Sequence, residues 1–231
     1  MPYYSPYYFD PSILLLIPAI IISFWAQMKV NSAYEKYSKV RTMNGYTGEQ
    51  VARMMLNEAG LYDIQIQMVN TKLGDHYDPK SRVLRLSPDV YSGATIAAAG
   101  IAAHEVGHAI QHQKAYKPLV VRNSIVPIVN LSSNLSWVLF FAGLFFSIKP
   151  LVTVGIILFL AAVIFQLITL PVEFNASNRA LDILKSRGIL YGDEVKGAGK
   201  VLDAAAMTYV AAALMAISQL IRLIAISNRN D

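Results

Sequence analysis

Four long stretches of the chain carry no charged residue. Eighteen uncharged residues lie between Asp10 and Lys29, 26 between Arg122 and Lys149, 23 between Lys149 and Glu173, and 18 between Asp203 and Arg222. A helix crossing hydrocarbon needs about 20 mainly apolar residues. The runs therefore predict transmembrane helices over about 11–28, 124–147, 150–170 and 204–224. The second run holds Asn130, Ser132, Ser133, Asn134 and Ser136, so part of it is expected to face protein rather than lipid.

The pattern changes between the first two runs. Thr47 and Gln50 have capping-box spacing, and Val51, Met54 and Met55 follow at helical intervals up to Gly60. Residues from Asp63 to Met68 alternate apolar and polar, which predicts a strand. Gly74-Asp75-His76-Tyr77-Asp78-Pro79 reads as a turn, and Ser81 to Leu86 as a second strand, so a hairpin with a long loop is expected. From Gly93 to Gln113 the chain is Ala-rich and helical. The expected fold is mainly α and membrane-embedded, with about four transmembrane helices and a small α+β unit over 29–122, completed by 171–202. Residues 1–231 then form a single module.

Composition supports this frame. Hydrophobic residues make up 55% and charged residues 15%, against about 25% charged in soluble domains. There is no cysteine, which removes disulfides, thiolate metal sites and cysteine nucleophiles. The net charge of +5 would suggest phosphate contacts in a nucleic-acid binder, but in a membrane protein it reports basic cytoplasmic loops. No nucleic-acid partner is expected. Lys and Arg are absent from 1–28, number 12 in 29–122 and five in 171–202, and fall to one at Lys149 and two after Asp203. The positive-inside rule puts 29–122 and 171–202 in the cytoplasm and both termini outside. No basic residue precedes the first run and no A-x-A site follows it, so a cleaved signal is not expected. Tyr3, Tyr4, Tyr7, Tyr8 and Phe9 before the run, and Phe24 and Trp25 near its end, suit the headgroup level.

The Ala-rich helix carries His104-Glu105-Val106-Gly107-His108, an H-E-x-x-H sequence. Residues four apart on a helix share one face, so both imidazoles can reach one cation. Glu105 stands beside them, placed to take a proton from a water at such a site. Gly107 leaves room for another segment. Two imidazoles suit catalytic zinc, which takes three protein ligands and keeps one position open. His112 continues the same row, but it lies ~12 Å along the axis from His104 and cannot converge with it on one tetrahedral ion. Glu173, at the end of the third run and predicted on the same membrane side as His104, is the candidate third ligand.

Asp75-His76-Tyr77-Asp78-Pro79, Leu84-Arg85-Leu86-Ser87, Ala102-Ala103-His104-Glu105-Val106-Gly107-His108-Ala109 and Glu173-Phe174-Asn175-Ala176-Ser177 together resemble the neutral zinc metallopeptidase family of bacterial membrane proteins, the YugP type. More distantly they are similar to the HtpX-type membrane proteases of the gluzincin class. The resemblance implies a zincin-like unit with one Zn2+ held by His104, His108 and Glu173, and Glu105 as the base. It also implies a multi-pass protein of the bacterial inner membrane. In HtpX-like relatives an Asp four residues after the third ligand orients a zinc-bound His. Here that position is Ser177, which brings no charge.

The expected function is a membrane-bound zinc endopeptidase at the cytoplasmic membrane boundary, acting on a protein or peptide substrate associated with the membrane. The strand at Arg82–Ser87 could pair with an extended substrate, and His76 or Tyr77 are candidates for stabilising the oxyanion. Two other readings stand beside it. One is a site-2-type intramembrane protease with Asp203 as third ligand, although Ala204 stands where that class has Gly. The other is a non-catalytic metal-binding scaffold, which would not need Glu105. Neither substrate nor oligomeric state follows from the sequence.

Overall fold

The computed structural model describes residues 11–71 and 74–229. The aromatic cluster expected at headgroup level, Tyr3 to Phe9, lies outside the described residues. A 3-10 turn at Pro11–Leu16 leads into α1 (Ile17–Tyr37), followed by α2 (Gly48–Glu58), β1 (Gln65–Met68), β2 (His76–Asp78) and β3 (Val83–Leu86). Next come α3 (Pro88–Ser92), α4 (Ile96–Gln113), α5 (Lys117–Phe145), α6 (Lys149–Ser186) and α7 (Asp193–Ser227). Four helical stretches are long and apolar enough to cross a membrane: Pro11–Tyr37, Lys117–Phe145, Lys149–Ser186 and Asp193–Ser227. They match the four charge-free runs.

The helices outrun those runs. The third was expected to end near 170, yet α6 continues through Pro171 to Ser186. Proline removes one backbone donor but fixes a φ that a helix accepts, and buried residues beyond it (Val172, Ala176, Ala180 and Leu184) keep the extension packed. Chain contacts group the molecule into two compact units. Of the described residues, the first comprises 11–24, 125–167 and 211–229. Its described part has a core of Phe140, Val152, Phe159, Val163 and Leu223. There Gly155 lets backbones approach, since a Cβ would sit 2.8 Å from the Phe140 nitrogen.

The second unit comprises Trp25–Ser124 and Ile168–Val210. Its centre is α4. Ala98, Ala99, Ala102, Ala103, Val106 and Ala109 are all buried, and small side chains let neighbours come close around the helix. At Gly107 the approach is closest: a Cβ there would stand 2.7 Å from the Ala176 carbonyl oxygen on α6. The predicted capping box holds: Thr47 and Gln50 form it at the start of α2. The Thr95 hydroxyl, not foreseen as a cap, accepts from the Ala98 N–H at 3.2 Å to start α4.

The sheet departs from the expected hairpin. Its order is β1-β3-β2. The segments read as two hairpin strands pair in parallel, with Gln65 opposite Val83 and Met68 opposite Leu86. The hairpin partner of β3 is β2, inside the segment read as a turn. The tight turn falls just after it, where Asp78 Oδ1 accepts from Lys80 N–H at 2.9 Å and Oδ2 from Ser81 Oγ at 2.6 Å, and Arg82 takes φ of 53°. Alternation with period two marks a strand but not its direction, and residues 69–75 give the chain room to cross before β2. Because β3 is central, it cannot add a substrate strand. The sheet edge nearest the chemistry belongs to β2.

Candidate metal centre

Helix α4 projects His104 and His108 from one face, with ring centroids 4.7 Å apart and planes nearly perpendicular. The extension of α6 brings Glu173 to them. His104 Nε2 lies 3.3 Å and His108 Nε2 3.5 Å from Glu173 Oε2. Among the described residues these three form a group whose ligand atoms all fall within 4.8 Å of one another. Asp203 and His112 lie outside it. Asp203 is exposed on α7, and His112 Nδ1 meets the Tyr77 hydroxyl at 2.9 Å.

Glu173 is 3% exposed. Its two oxygens have different surroundings. Oε1 accepts from Arg122 Nη1 at 3.0 Å, whereas Oε2 is buried and accepts no hydrogen bond. A buried carboxylate oxygen without a donor costs several kcal/mol unless a cation faces it.

The hydrogen bonds behind the imidazoles fix which nitrogen can serve as ligand. Gln111 Nε2 donates to the Val172 carbonyl at 2.8 Å and to Asn175 Oδ1 at 3.1 Å. A carbonyl only accepts, so the Gln111 amide nitrogen must point there and its Oε1 must face His108 Nδ1, 3.0 Å away. The neutral His108 ring therefore carries its proton on Nδ1 and aims the Nε2 lone pair at Glu173 Oε2. Arg179 Nε, 2.7 Å from Asn175 Oδ1, reinforces that order. His104 Nδ1 stands 3.1 Å from Ser177 Oγ, where a hydroxyl can accept its proton and leave Nε2 free. Two lone pairs and an unpaired carboxylate oxygen then converge, an arrangement that repels itself until a cation enters. Burial pulls the His108 pKa down, but the adjacent Glu173 carboxylate and the charge of Glu105 outweigh it and hold the pKa above its ordinary value.

Glu105 points elsewhere. Its Oε2 accepts from the Tyr77 N–H at 3.0 Å, on the edge of β2 turned away from β3. Asp75 lies near it and accepts from the Ser87 N–H at 2.7 Å and the Ser87 hydroxyl at 3.0 Å. Burial raises the Asp75 pKa, partly countered by the Ser87 hydrogen bonds, and the Glu105 charge adds to the rise. Two cavities flank the cluster. One of about 200 Å³ is walled mainly by apolar residues, among them Val30, Ile101, Val201 and Leu202, and reaches His104, Glu105 and Glu173. The other, about 190 Å³, is more polar and includes His76, Tyr77 and Arg122. Tyr209 lines both.

Sequence reasoning missed Gln111, Arg122 and Tyr209. Gln111 sits three residues after His108 on the same helix, a spacing that brings side chains together. Arg122 borders a charge-free run, where an ionisable residue is a functional candidate. Tyr209 left no comparable signal. His76, a candidate for the oxyanion, is exposed, with Nδ1 2.7 Å from the Gly74 carbonyl. The Tyr77 hydroxyl is engaged by His112.

Membrane-length helices and a two-histidine, one-glutamate cluster that could hold a metal ion define the class of protein. The comparisons agree on the class. The sequence profile of the family described as "Putative neutral zinc metallopeptidase" matches residues 12–228, and the chain belongs to that family. It is 52% identical over 214 residues to the protein named "Putative membrane protease YugP" of Bacillus subtilis (strain 168), covering 93% of this chain and 95% of that relative. No solved structure matches the chain.

If Gln111 sets the His108 tautomer, Gln111→Met should weaken zinc binding about 10–100-fold, the usual cost of losing a hydrogen-bond partner behind a ligand. Competition against a chelator at fixed pH measures it. Wild-type affinity in the variant would mean that His108 is oriented by something else.

Proposed function

We propose that this chain is a membrane-bound zinc endopeptidase of zincin-like design. In this reading residues 1–231 act as one module. The observation that carries the reading is Glu173 Oε2, buried without a donor and facing the Nε2 atoms of His104 and His108. Two imidazoles and one carboxylate oxygen are a donor set that suits one Zn2+ and leaves a fourth position open. Bound there, the metal supplies Lewis acidity, lowering the pKa of a water and polarising a carbonyl. Arg122 holds Oε1 of Glu173, which leaves Oε2 as the oxygen that would be available to an ion.

The protein's own residues do the rest. Glu105 takes the proton of the attacking water on its carboxylate and returns it to the departing amine nitrogen. Its link to the Tyr77 N–H orients it next to the free edge of β2. An extended peptide laid along that edge would bring its backbone to the base, and a side chain to the apolar cavity lined by Ile101 and Leu202. The substrate is a protein or peptide associated with the membrane.

Zinc content and peptide cleavage, measured side by side, separate the roles. Glu105→Gln keeps volume but cannot accept a proton at neutral pH, so it should retain about one zinc per chain and lose hydrolysis by 10²–10⁴-fold. Glu173→Gln should lose metal and activity together. Cleavage at the wild-type rate by Glu105→Gln would leave a metal-binding scaffold as the better reading.

The site faces the cytoplasm in this proposal, at the inner membrane of a bacterial cell. Twelve Lys and Arg in 29–122, against none in 1–28, support that orientation. A cysteine placed at Ser81 should resist an impermeant thiol reagent in intact cells, and one at Ser5 should react. Labelling of Ser81→Cys from outside would reverse the topology.

A further inference from the structure

Away from the metal centre, α1 and α7 enclose a groove of about 620 Å³. Its lining is graded along its length. On α1, Trp25 and Met28 belong to the charge-free run and Lys29 is the first charged residue beyond it, with Lys36 two turns further on. On α7 the gradient runs the opposite way in sequence: Lys200 first, then Asp203 as the last charge before its own run, then Met207 inside it. Both helices thus change from charged to apolar at the same level of the groove. From Trp25 to Lys36 the groove spans roughly 16 Å of helix rise, enough to reach from the edge of the hydrocarbon into the headgroup layer.

The charge in the groove is cationic on balance. Among the described residues no carboxylate makes an ion pair with Lys29, Lys36 or Lys200. The Lys29 ammonium lies 5.0 Å from the Trp25 ring centroid, which holds it at the boundary rather than out in solvent. Asp203 offsets one of the three positive charges.

We propose that this groove binds an anionic phospholipid, with the phosphate among Lys29, Lys36 and Lys200 and an acyl chain along Trp25, Met28 and Met207. A soluble anion would satisfy the lysines but leave the apolar half of the groove unused. A zwitterionic lipid would fill the apolar half and gain little from the net charge.

The test uses the full-length protein in mild detergent, with bound lipid counted by native mass spectrometry during titration with phosphatidylglycerol, phosphatidylcholine or inorganic phosphate. A lysine near the surface adds about fivefold to the attraction for an anionic lipid. With two net charges, phosphatidylglycerol should bind roughly 25-fold more tightly than phosphatidylcholine. Lys29→Gln/Lys36→Gln/Lys200→Gln should erase that preference. Asp203→Asn, a single exposed change, should strengthen phosphatidylglycerol binding about fivefold and serves as the test if the triple variant does not fold. Equal binding of the two lipids, a preference that survives the triple change, or no gain with Asp203→Asn would overturn the proposal. So would displacement of phosphatidylglycerol by millimolar inorganic phosphate, which would make the ligand a free anion.

Discussion

A buried carboxylate sets the terms for the half of this protein that holds the His104–His108–Glu173 cluster. Glu173 is 3% exposed, and one of its oxygens, Oε2, faces two imidazole nitrogens without accepting a hydrogen bond. Such a group is tolerated only beside positive charge. Arg122 supplies part of it at 3.0 Å, and the rest is left to whatever cation sits among Glu173, His104 and His108. The hydrogen bonds that the imidazoles donate to Gln111 Oε1 and Ser177 Oγ then make sense as a means of turning the rings so that Nε2, and not Nδ1, meets that cation.

Bringing Glu173 to the histidines requires two helices to touch almost backbone to backbone. Gly107, within the H-E-x-x-H sequence, faces the Ala176 carbonyl on α6, three residues after Glu173, and even a methyl group there would collide. The alanines that surround α4 extend the same logic around the helix. The Ala-rich composition of residues 93–113 is thus tied to the site: it lets a helix bearing ionisable groups sink into a core while its neighbours come near enough to bring Glu173 and hydrogen-bond partners to the histidines.

What the sequence disclosed follows how local each feature is. H-E-x-x-H was legible because helical spacing alone brings His104 and His108 to one face. Glu173 was legible through topology, since the charge pattern put it on the same membrane side. Four charge-free runs located the four long helices. Their extensions were hidden, because Pro171 and the charges after it resemble a helix end when packing against Ala180 and Leu184 cannot be seen. Strand direction was hidden for a similar reason: alternation in 63–68 looks the same in either orientation, and only the tertiary placement of β2 decided which strand became central. Arg122 and Tyr209 reach the site from other helices, and no spacing rule connects them to His104.

The central claim is that Glu173, with the two histidines, forms the metal site. X-ray absorption at the zinc edge on the zinc-loaded, full-length protein addresses the coordinating atoms themselves. The account predicts four-coordinate zinc with two imidazole nitrogens at about 2.0–2.1 Å and two oxygens at about 2.0–2.2 Å, and a first shell that changes when Glu173 is replaced by alanine. A third imidazole, or a first shell unaltered by Glu173→Ala, would contradict it.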